Sequence, residues 1–282
     1  RMSDMQTRVM VSMDWDLLDD VHSRVTLTKR DRTWGAQGTA AGQTLTDIEG
    51  AITADEANVK IDKLMGAIDA TLGRQFYGSA GDLMVYYGAS DKALYGMTVT
   101  ALDSARFDWS GESAYLTALF GNTNAHALGT VDIAGLSRQE LRGLVLGTKG
   151  MENVAASAYV WNAVTHRKTL GVGTPPATAG AAVGDKNDNL YVFGVKVKVK
   201  AENAWLAGEI AKNYGSNRNG FAATTQVAPA RNYIGWGFLL DAGVKADIEG
   251  LGALTPCGQF AYGTGDQNTR ESQNRGFQTI NS

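Results

Sequence analysis

The stretch Asn189-Leu190-Tyr191-Val192-Phe193-Gly194-Val195-Lys196-Val197-Lys198-Val199-Lys200 decides how this chain folds. Its odd positions Tyr191, Phe193, Val195, Val197 and Val199 are apolar, and Lys196, Lys198 and Lys200 fall between them. A period of two marks a β-strand with unlike faces, because successive side chains point to opposite sides. After Ala201-Glu202-Asn203 the pattern resumes, with Ala204, Leu206, Gly208 and Ile210 on one face and Trp205, Glu209 and Asn213 on the other. A hairpin folded there sets Lys196 opposite Glu209 and Lys200 opposite Trp205, so the polar face is charge-complementary across strands.

The first residues behave the same way. Val9, Val11, Met13, Trp15 and Leu17 share one face against Arg8, Ser12, Asp14 and Asp16, and the return run sets Val21, Val25 and Leu27 against His22, Arg24, Thr26, Thr28 and Arg30. A turn at Asp19 places Asp14 opposite Arg24. Further short turns fall near Met65, Gly111, Gly150 and Gly250, which with those near 19 and 202 gives twelve strands. Between the hairpins lie longer segments rich in Gly, Ala, Thr and Asn: 31–56, 76–98, 122–140, 165–188, 216–232 and the tail from 267. Short turns at one end, long loops at the other and strands of about nine to eleven residues match the asymmetry of transmembrane barrels. A soluble sandwich has no reason to segregate its loops in this way.

Composition narrows the classes. The 282 residues include 34 Gly and 4 Pro, and apolar residues make up 44% of a chain whose mean hydropathy is -0.19. No apolar run approaches the roughly 18 residues that a membrane-spanning helix needs, so any crossing must be made by strands. The net charge of -3 comes from 26 basic and 29 acidic residues spread along the chain, which argues against nucleic acid as a partner. The opening Arg1-Met2-Ser3-Asp4 carries no leader pattern, and a signal peptide is expected to have been removed on export. A single Cys257 excludes an intramolecular disulfide. Trp15, Trp109, Tyr214, Tyr233, Trp236 and Tyr262 fall near strand ends, where amphipathic rings sit at a membrane interface or cover the rim of a soluble barrel.

The chain also resembles the alginate-export-like family and related porins of the Gram-negative envelope. The likeness is carried by Thr7-Arg8-Val9-Met10-Val11, by Val25-Thr26-Leu27-Thr28-Lys29-Arg30-Asp31-Arg32-Thr33-Trp34-Gly35, and by Ala57-Asn58-Val59-Lys60-Ile61-Asp62-Lys63. It continues through Leu72-Gly73-Arg74-Gln75-Phe76-Tyr77-Gly78, Ala101-Leu102-Asp103-Ser104-Ala105-Arg106-Phe107-Asp108-Trp109 and Phe260-Ala261-Tyr262-Gly263-Thr264-Gly265-Asp266. These short motifs run in order from about residue 7 to 266 and support the class of barrel far better than any solute. The resemblance implies an all-β, antiparallel, transmembrane up-and-down β-barrel, closed by one chain, with about 16 to 18 strands in the full protein. The end Thr279-Ile280-Asn281-Ser282 departs from it by lacking a terminal aromatic strand, so residues 1–282 are expected to be one barrel domain that stops before closure.

A pore of this kind needs charge and shape at its narrowest point rather than a catalytic group. The candidate lining consists of the inward ionisable residues Arg8, Asp14, Arg24, Arg30, Lys60, Asp69, Arg106, Asp108, Lys196, Lys198, Glu209, Asp241 and Lys245. Segment 76–98, with an apolar centre Asp82-Leu83-Met84-Val85-Tyr86-Tyr87-Gly88, is expected either to fold inward and constrict the pore or to pack on the inner rim. Strict alternation points Arg74 toward lipid, at a cost of roughly 2 to 4 kcal/mol at mid-membrane, unless a bulge at Gly73 turns it inward or it sits at the rim.

Other chemistry finds little footing. Asp185-Lys186-Asn187-Asp188-Asn189 opens like a calcium loop but lacks the sixth-position Gly and has Lys196 where a bidentate Glu belongs. His22, His126 and His166 have no metal-ligand spacing, and Cys257 after Pro256 reads as a structural thiol at a bulge or edge. There is no Gly-x-Ser-x-Gly elbow and no phosphate-binding loop, so no enzyme, cofactor or metal is expected. The expected role is passive diffusion of small hydrophilic or anionic solutes through an integral outer-membrane barrel. Its surroundings would be outer-membrane lipid and lipopolysaccharide, with further copies or a surface layer as protein partners. The rivals are a scaffolding or sheath barrel filled by a partner protein, and a soluble β-rich secreted binding protein.

Overall fold

The computed structural model describes residues 5–34, 52–79, 82–89, 100–122, 138–166, 188–217, 231–248, 252–266 and 273–280. These are all strand, turn or irregular chain, and no helix occurs among the described residues. The strands are β1 (Met5–Leu18), β2 (Val21–Trp34), β3 (Ile52–Leu64), β4 (Ile68–Gln75), β5 (Leu102–Ser110) and β6 (Ala114–Asn122). They continue with β7 (Arg138–Thr148), β8 (Val154–His166), β9 (Asp188–Lys200), β10 (Ala204–Asn217), β11 (Arg231–Tyr233) and β12 (Trp236–Val244). The last are β13 (Ala246–Ile248), β14 (Gly252–Leu254), β15 (Cys257–Gly263) and β16 (Gln273–Asn274).

The chain makes two compact units, the first running to Phe107 and the second Asp108–Ile280, so that the boundary falls inside β5. In the first unit the hydrogen-bonded order is β1-β2-β3-β4 and then β5. In the second it is β6-β7-β8-β9-β10, continued by β12 and β15, with β11 and β16 as a short parallel addition. The result is an antiparallel sheet of about twelve long strands, as the six expected turns require. Among the described residues nothing pairs with the outer edge of β1 or of β15. The small extra pair β13–β14 sits in the last hairpin, where a plain turn near Gly250 was expected.

Register follows the sequence pattern where the connection is short. Lys196 lies opposite Glu209, Lys200 opposite Trp205 and Asp14 opposite Arg24. A two- or three-residue turn leaves little choice of pairing, and a one-residue slip would turn every side chain to the other face. Polar and apolar rows are therefore fixed together.

The apolar rows are largely the open ones, and the buried polar groups lie on the other face. On β9 the apolar row is the open one, with Val195 47% and Val197 38% exposed, and Val9, Val11, Leu144, Leu146, Leu206, Ile210, Leu240 and Phe260 are open in the same way. The opposite face buries Thr26, Thr28 and Glu56 in the first unit and Thr117, Glu209 and Asn213 in the second. Some apolar groups do share that buried face in the second unit: Leu119, Leu141, Trp161, Ala163 and Val192 form a cluster at the loop-ward ends of their strands. Five of the six aromatics expected at strand ends are open, namely Trp15, Trp109, Tyr214, Trp236 and Tyr262. Tyr233 departs from that expectation, since it is buried and donates its hydroxyl to Asp188 Oδ2 at 2.8 Å.

One packing device recurs in the second unit. Tyr115, Trp161, Tyr159 and Trp205 stand directly opposite Gly147, Gly143, Gly194 and Gly243 on the neighbouring strands. Each ring occupies the space where the glycine's Cβ would be, within 2.0 to 2.3 Å of that point. Glycine leaves the hollow and the cross-strand ring fills it, which recovers packing that glycine otherwise costs a strand. Replacing Gly143 by Leu drives a side chain into the Trp161 ring and is expected to destabilise by roughly 1 to 3 kcal/mol. Gly208→Ala meets nothing within 4 Å and is expected to be near neutral. The midpoint of urea unfolding separates the two.

Candidate functional site

The polar face is the candidate site, and in the first unit it is a connected set of pairs. Arg24 forks onto Asp14, with Nε to Oδ1 at 2.6 Å and Nη2 to Oδ2 at 3.3 Å. The neighbouring rung continues across three strands, where Ser12 and Thr26 hydroxyls lie 2.9 Å apart and Thr26 Oγ1 donates to Glu56 Oε2 at 2.6 Å. Toward the turns, Lys60 Nζ contacts Asp62 Oδ1 at 2.5 Å and Asp69 Oδ2 at 3.7 Å. His22 bridges strands with Nδ1 at 2.6 Å from Asp16 and Nε2 at 3.1 Å from Asp62. Arg106 reaches Thr71 Oγ1 at 3.5 Å.

Asp14, Arg24, Lys60, Asp69 and Arg106 thus stand where alternation put them. Arg8 falls at a register shift between Thr7 and Val9 and is half-buried. Arg30 lies in β2, but its side chain is outside the described residues.

Segment 76–98 is described in part, and residues 80–81 and 90–98 lie outside the described residues. Tyr77 and Tyr87 exchange backbone hydrogen bonds of 2.9 and 2.7 Å, and Met84, Val85 and Tyr87 are buried. Phe76 N–H donates to Glu56 Oε1 at 3.5 Å, so the segment leaves β4 tied to a carboxylate of the polar face.

In the second unit Asp108 accepts from Thr117 Oγ1 at 2.6 Å. Lys196 and Glu209 are register partners, and Tyr159 donates to Glu209 Oε1 at 2.6 Å. Lys198 follows on the same face between Ala155 and Ala207, and Asp241 accepts from Trp205 Nε1 at 3.2 Å. Lys245 stands apart from this row, exposed just beyond the end of β12, with its backbone N–H on Asn203 O at 2.7 Å.

Arg74 resolves a choice that alternation left open. Gly73 takes a left-handed φ of 116° while Asn58–Gly73 and Ala57–Arg74 stay in register, so there is no bulge and Arg74 remains on the face of Leu72. A side chain at Gly73 would strike Ala57 O, which is why only glycine serves there. The guanidinium forks onto Asp103, with Nε to Oδ1 at 2.8 Å and Nη2 to Oδ2 at 3.0 Å. Both residues sit within two positions of the loop ends of β4 and β5.

Sequence reasoning missed the partners more often than the residues. The sequence sets His22 and Asp16 on the polar row with Arg24 without pairing them, and Asp62 shares the parity of Lys60, whereas Tyr159 and Asp103 needed a register set across long connections. Residues 185–187 of the calcium-like stretch, His126 and the His166 side chain lie outside the described residues. Asp188 and Asn189 are engaged by Tyr233 and by Asn162 Nδ2. Cys257 is exposed, and Pro256 O accepts from Val244 N–H at 3.0 Å. Among the described residues no group of three or more His, Cys, Asp or Glu is placed to hold a metal ion.

Comparison with protein-family models, with curated proteins and with solved structures finds no match. The site therefore stands on its own geometry. Because Arg74 and Asp103 neutralise each other on the open face, removing either one strands the other charge. A double-mutant cycle of Arg74→Ala and Asp103→Ala, read by equilibrium unfolding, is expected to show coupling of roughly 0.5 to 3 kcal/mol. Additive effects would mean that the pair holds nothing.

Proposed function

We propose that this chain is the wall of an integral outer-membrane porin that passes small hydrophilic solutes by diffusion, with a preference for anions. The observation that carries the reading is the inverted distribution of its strand faces: aliphatic and aromatic rows open, and on the other face buried hydroxyls and amides with the carboxylates of Glu56 and Glu209. In water such rows form the large apolar patches that soluble monomers avoid, and in lipid they meet hydrocarbon. Ladder pairing satisfies the backbone polar groups that hydrocarbon would leave orphaned. The open aromatics support the same reading. Trp236, Phe238, Phe260 and Tyr262 stack on the apolar face, with ring centroids 5.4 to 6.2 Å apart. Such a band suits the boundary between acyl chains and lipopolysaccharide headgroups.

The enclosed face supplies the selectivity. Lys196, Lys198 and Lys200 succeed one another along β9, and a row of ammonium groups in a narrow polar space raises the local anion concentration. Neighbouring acid–base pairs cancel much of the remaining charge. A scaffolding barrel with a filled interior is the competing reading, favoured by the buried cluster of Leu119, Leu141, Trp161 and Val192 on this same face.

Planar-bilayer recordings of the full-length protein test both. Steady channels are expected, with a reversal potential in a salt gradient that favours anions, and Lys196→Glu with Lys198→Glu should move it toward cations. A cation-selective wild type would contradict the lysine argument. Stable insertion without conductance would turn the reading to the filled scaffold, and partition into buffer rather than detergent would sink both.

A further inference from the structure

At the loop end of β12 and β15 the polar face has a gap. Gly237 and Gly263 are paired directly, so two adjacent strands carry no side chain at that point. Four other glycines of this face are each covered by a ring from the neighbouring strand. Here the ring is Phe277: a Cβ on Gly237 would lie 2.8 Å from Phe277 Cδ1, and one on Gly263 would lie 3.3 Å from Phe277 Cβ.

Phe277 comes from Gln273–Ile280, of which only the two residues of β16 belong to the sheet. Backbone hydrogen bonds hold the rest in place. Asn213, fully buried on the polar face of β10, clasps Gln278 from both sides, with Nδ2 donating to Gln278 O and Gln278 N–H donating to Oδ1, each at 2.9 Å. Ile234 N–H binds Asn274 O at 3.0 Å, Phe277 N–H binds Thr264 O at 2.8 Å and Thr264 Oγ1 binds Arg275 O at 2.6 Å. Arg231 donates to Gln273 O at 2.7 Å and is ion-paired with Asp266.

From this geometry, and resting on the porin reading above, we infer that Gln273–Ile280 is an inward strap that narrows the solute path at the loop end. The seat is the Gly237–Gly263 hollow, the anchor is Phe277 and the clasp is Asn213. The wall glycines opposite Tyr115, Trp161, Tyr159 and Trp205 are filled by neighbouring strands and are permanent parts of the sheet. The Phe277 seat is filled by a segment held through one ring, the two-residue pairing of β16 and a few hydrogen bonds to its backbone, which is the kind of element that opens locally while the ladder persists. Asn213 shares its face with Glu209 and Lys196 farther toward the turns, so a solute entering at the loop end passes the strap before the lysines.

A reversible cross-link tests this. In a Cys257→Ser background, Gly263→Cys with Phe277→Cys places two Cβ atoms close to disulfide distance. Mild oxidation should join them, and channels of the joined protein should step up in conductance when dithiothreitol is added and step down on reoxidation. Asn213→Ala, with no added cysteine, should show the raised conductance from the start. Failure of a folded, inserted protein to cross-link would overturn the docking. Cross-linking with conductance unmoved by reduction, or wild-type conductance in Asn213→Ala, would overturn the narrowing role. Cross-linking without conductance in either redox state would overturn the porin reading, and the narrowing with it, while the docked segment stood.

Discussion

In an antiparallel ladder each side chain is committed to a face by the register of its strand, and here that commitment leaves the oily rows open. Val195, Val197 and Val199 cannot change face without carrying Lys196 and Lys198 to the opposite one, because the period is two and the turn beyond Lys200 is short. Once one hairpin is set, each added strand must match its polarity or break the row. The buried hydroxyl rung from Ser12 through Thr26 to Glu56 and the open row from Val9 to Leu17 follow from the same commitment.

Inversion changes what stabilises each face. Hydroxyls, amides and charges are costly to bury unless they are paired, and on this face they meet one another within and across strands. Arg24 has Asp14, Lys60 has Asp62, Glu209 has Tyr159 and Trp205 has Asp241. The open face has its own exception in Arg74 with Asp103, a pair whose two charges cancel near the loop ends of their strands. Gly–aromatic pairs add a different kind of order. They let large rings lie over the neighbouring strand in place of standing out from the sheet, which keeps a polar face polar even where Trp and Tyr occur on it.

Legibility in the sequence divides along connection length. Hairpins closed by short turns could be placed with their registers, down to Lys196 opposite Glu209 and Asp14 opposite Arg24. Ladders joined through long segments could not, since their length leaves the register free. That is why Tyr159 beneath Glu209 and Asp103 beside Arg74 were not foreseen. The docking of Gln273–Ile280 had no signal of its own in a polar tail, because its seat consists of two glycines, which present no side chain to read. Tyr233 misled for a related reason: a tyrosine at a strand end suits an interface equally well until a buried acceptor such as Asp188 is found beside it.

The sidedness of the wall can be read with its own tryptophans. Trp15, Trp109 and Trp236 stand on the open face, and Trp161 and Trp205 on the polar one. Variants that each keep one tryptophan, reconstituted in vesicles containing brominated phospholipids, report which indoles touch acyl chains. A membrane wall of this polarity predicts strong quenching at Trp15, Trp109 and Trp236 and little at Trp161 and Trp205. Uniformly weak quenching, or quenching of the second set in place of the first, would contradict it.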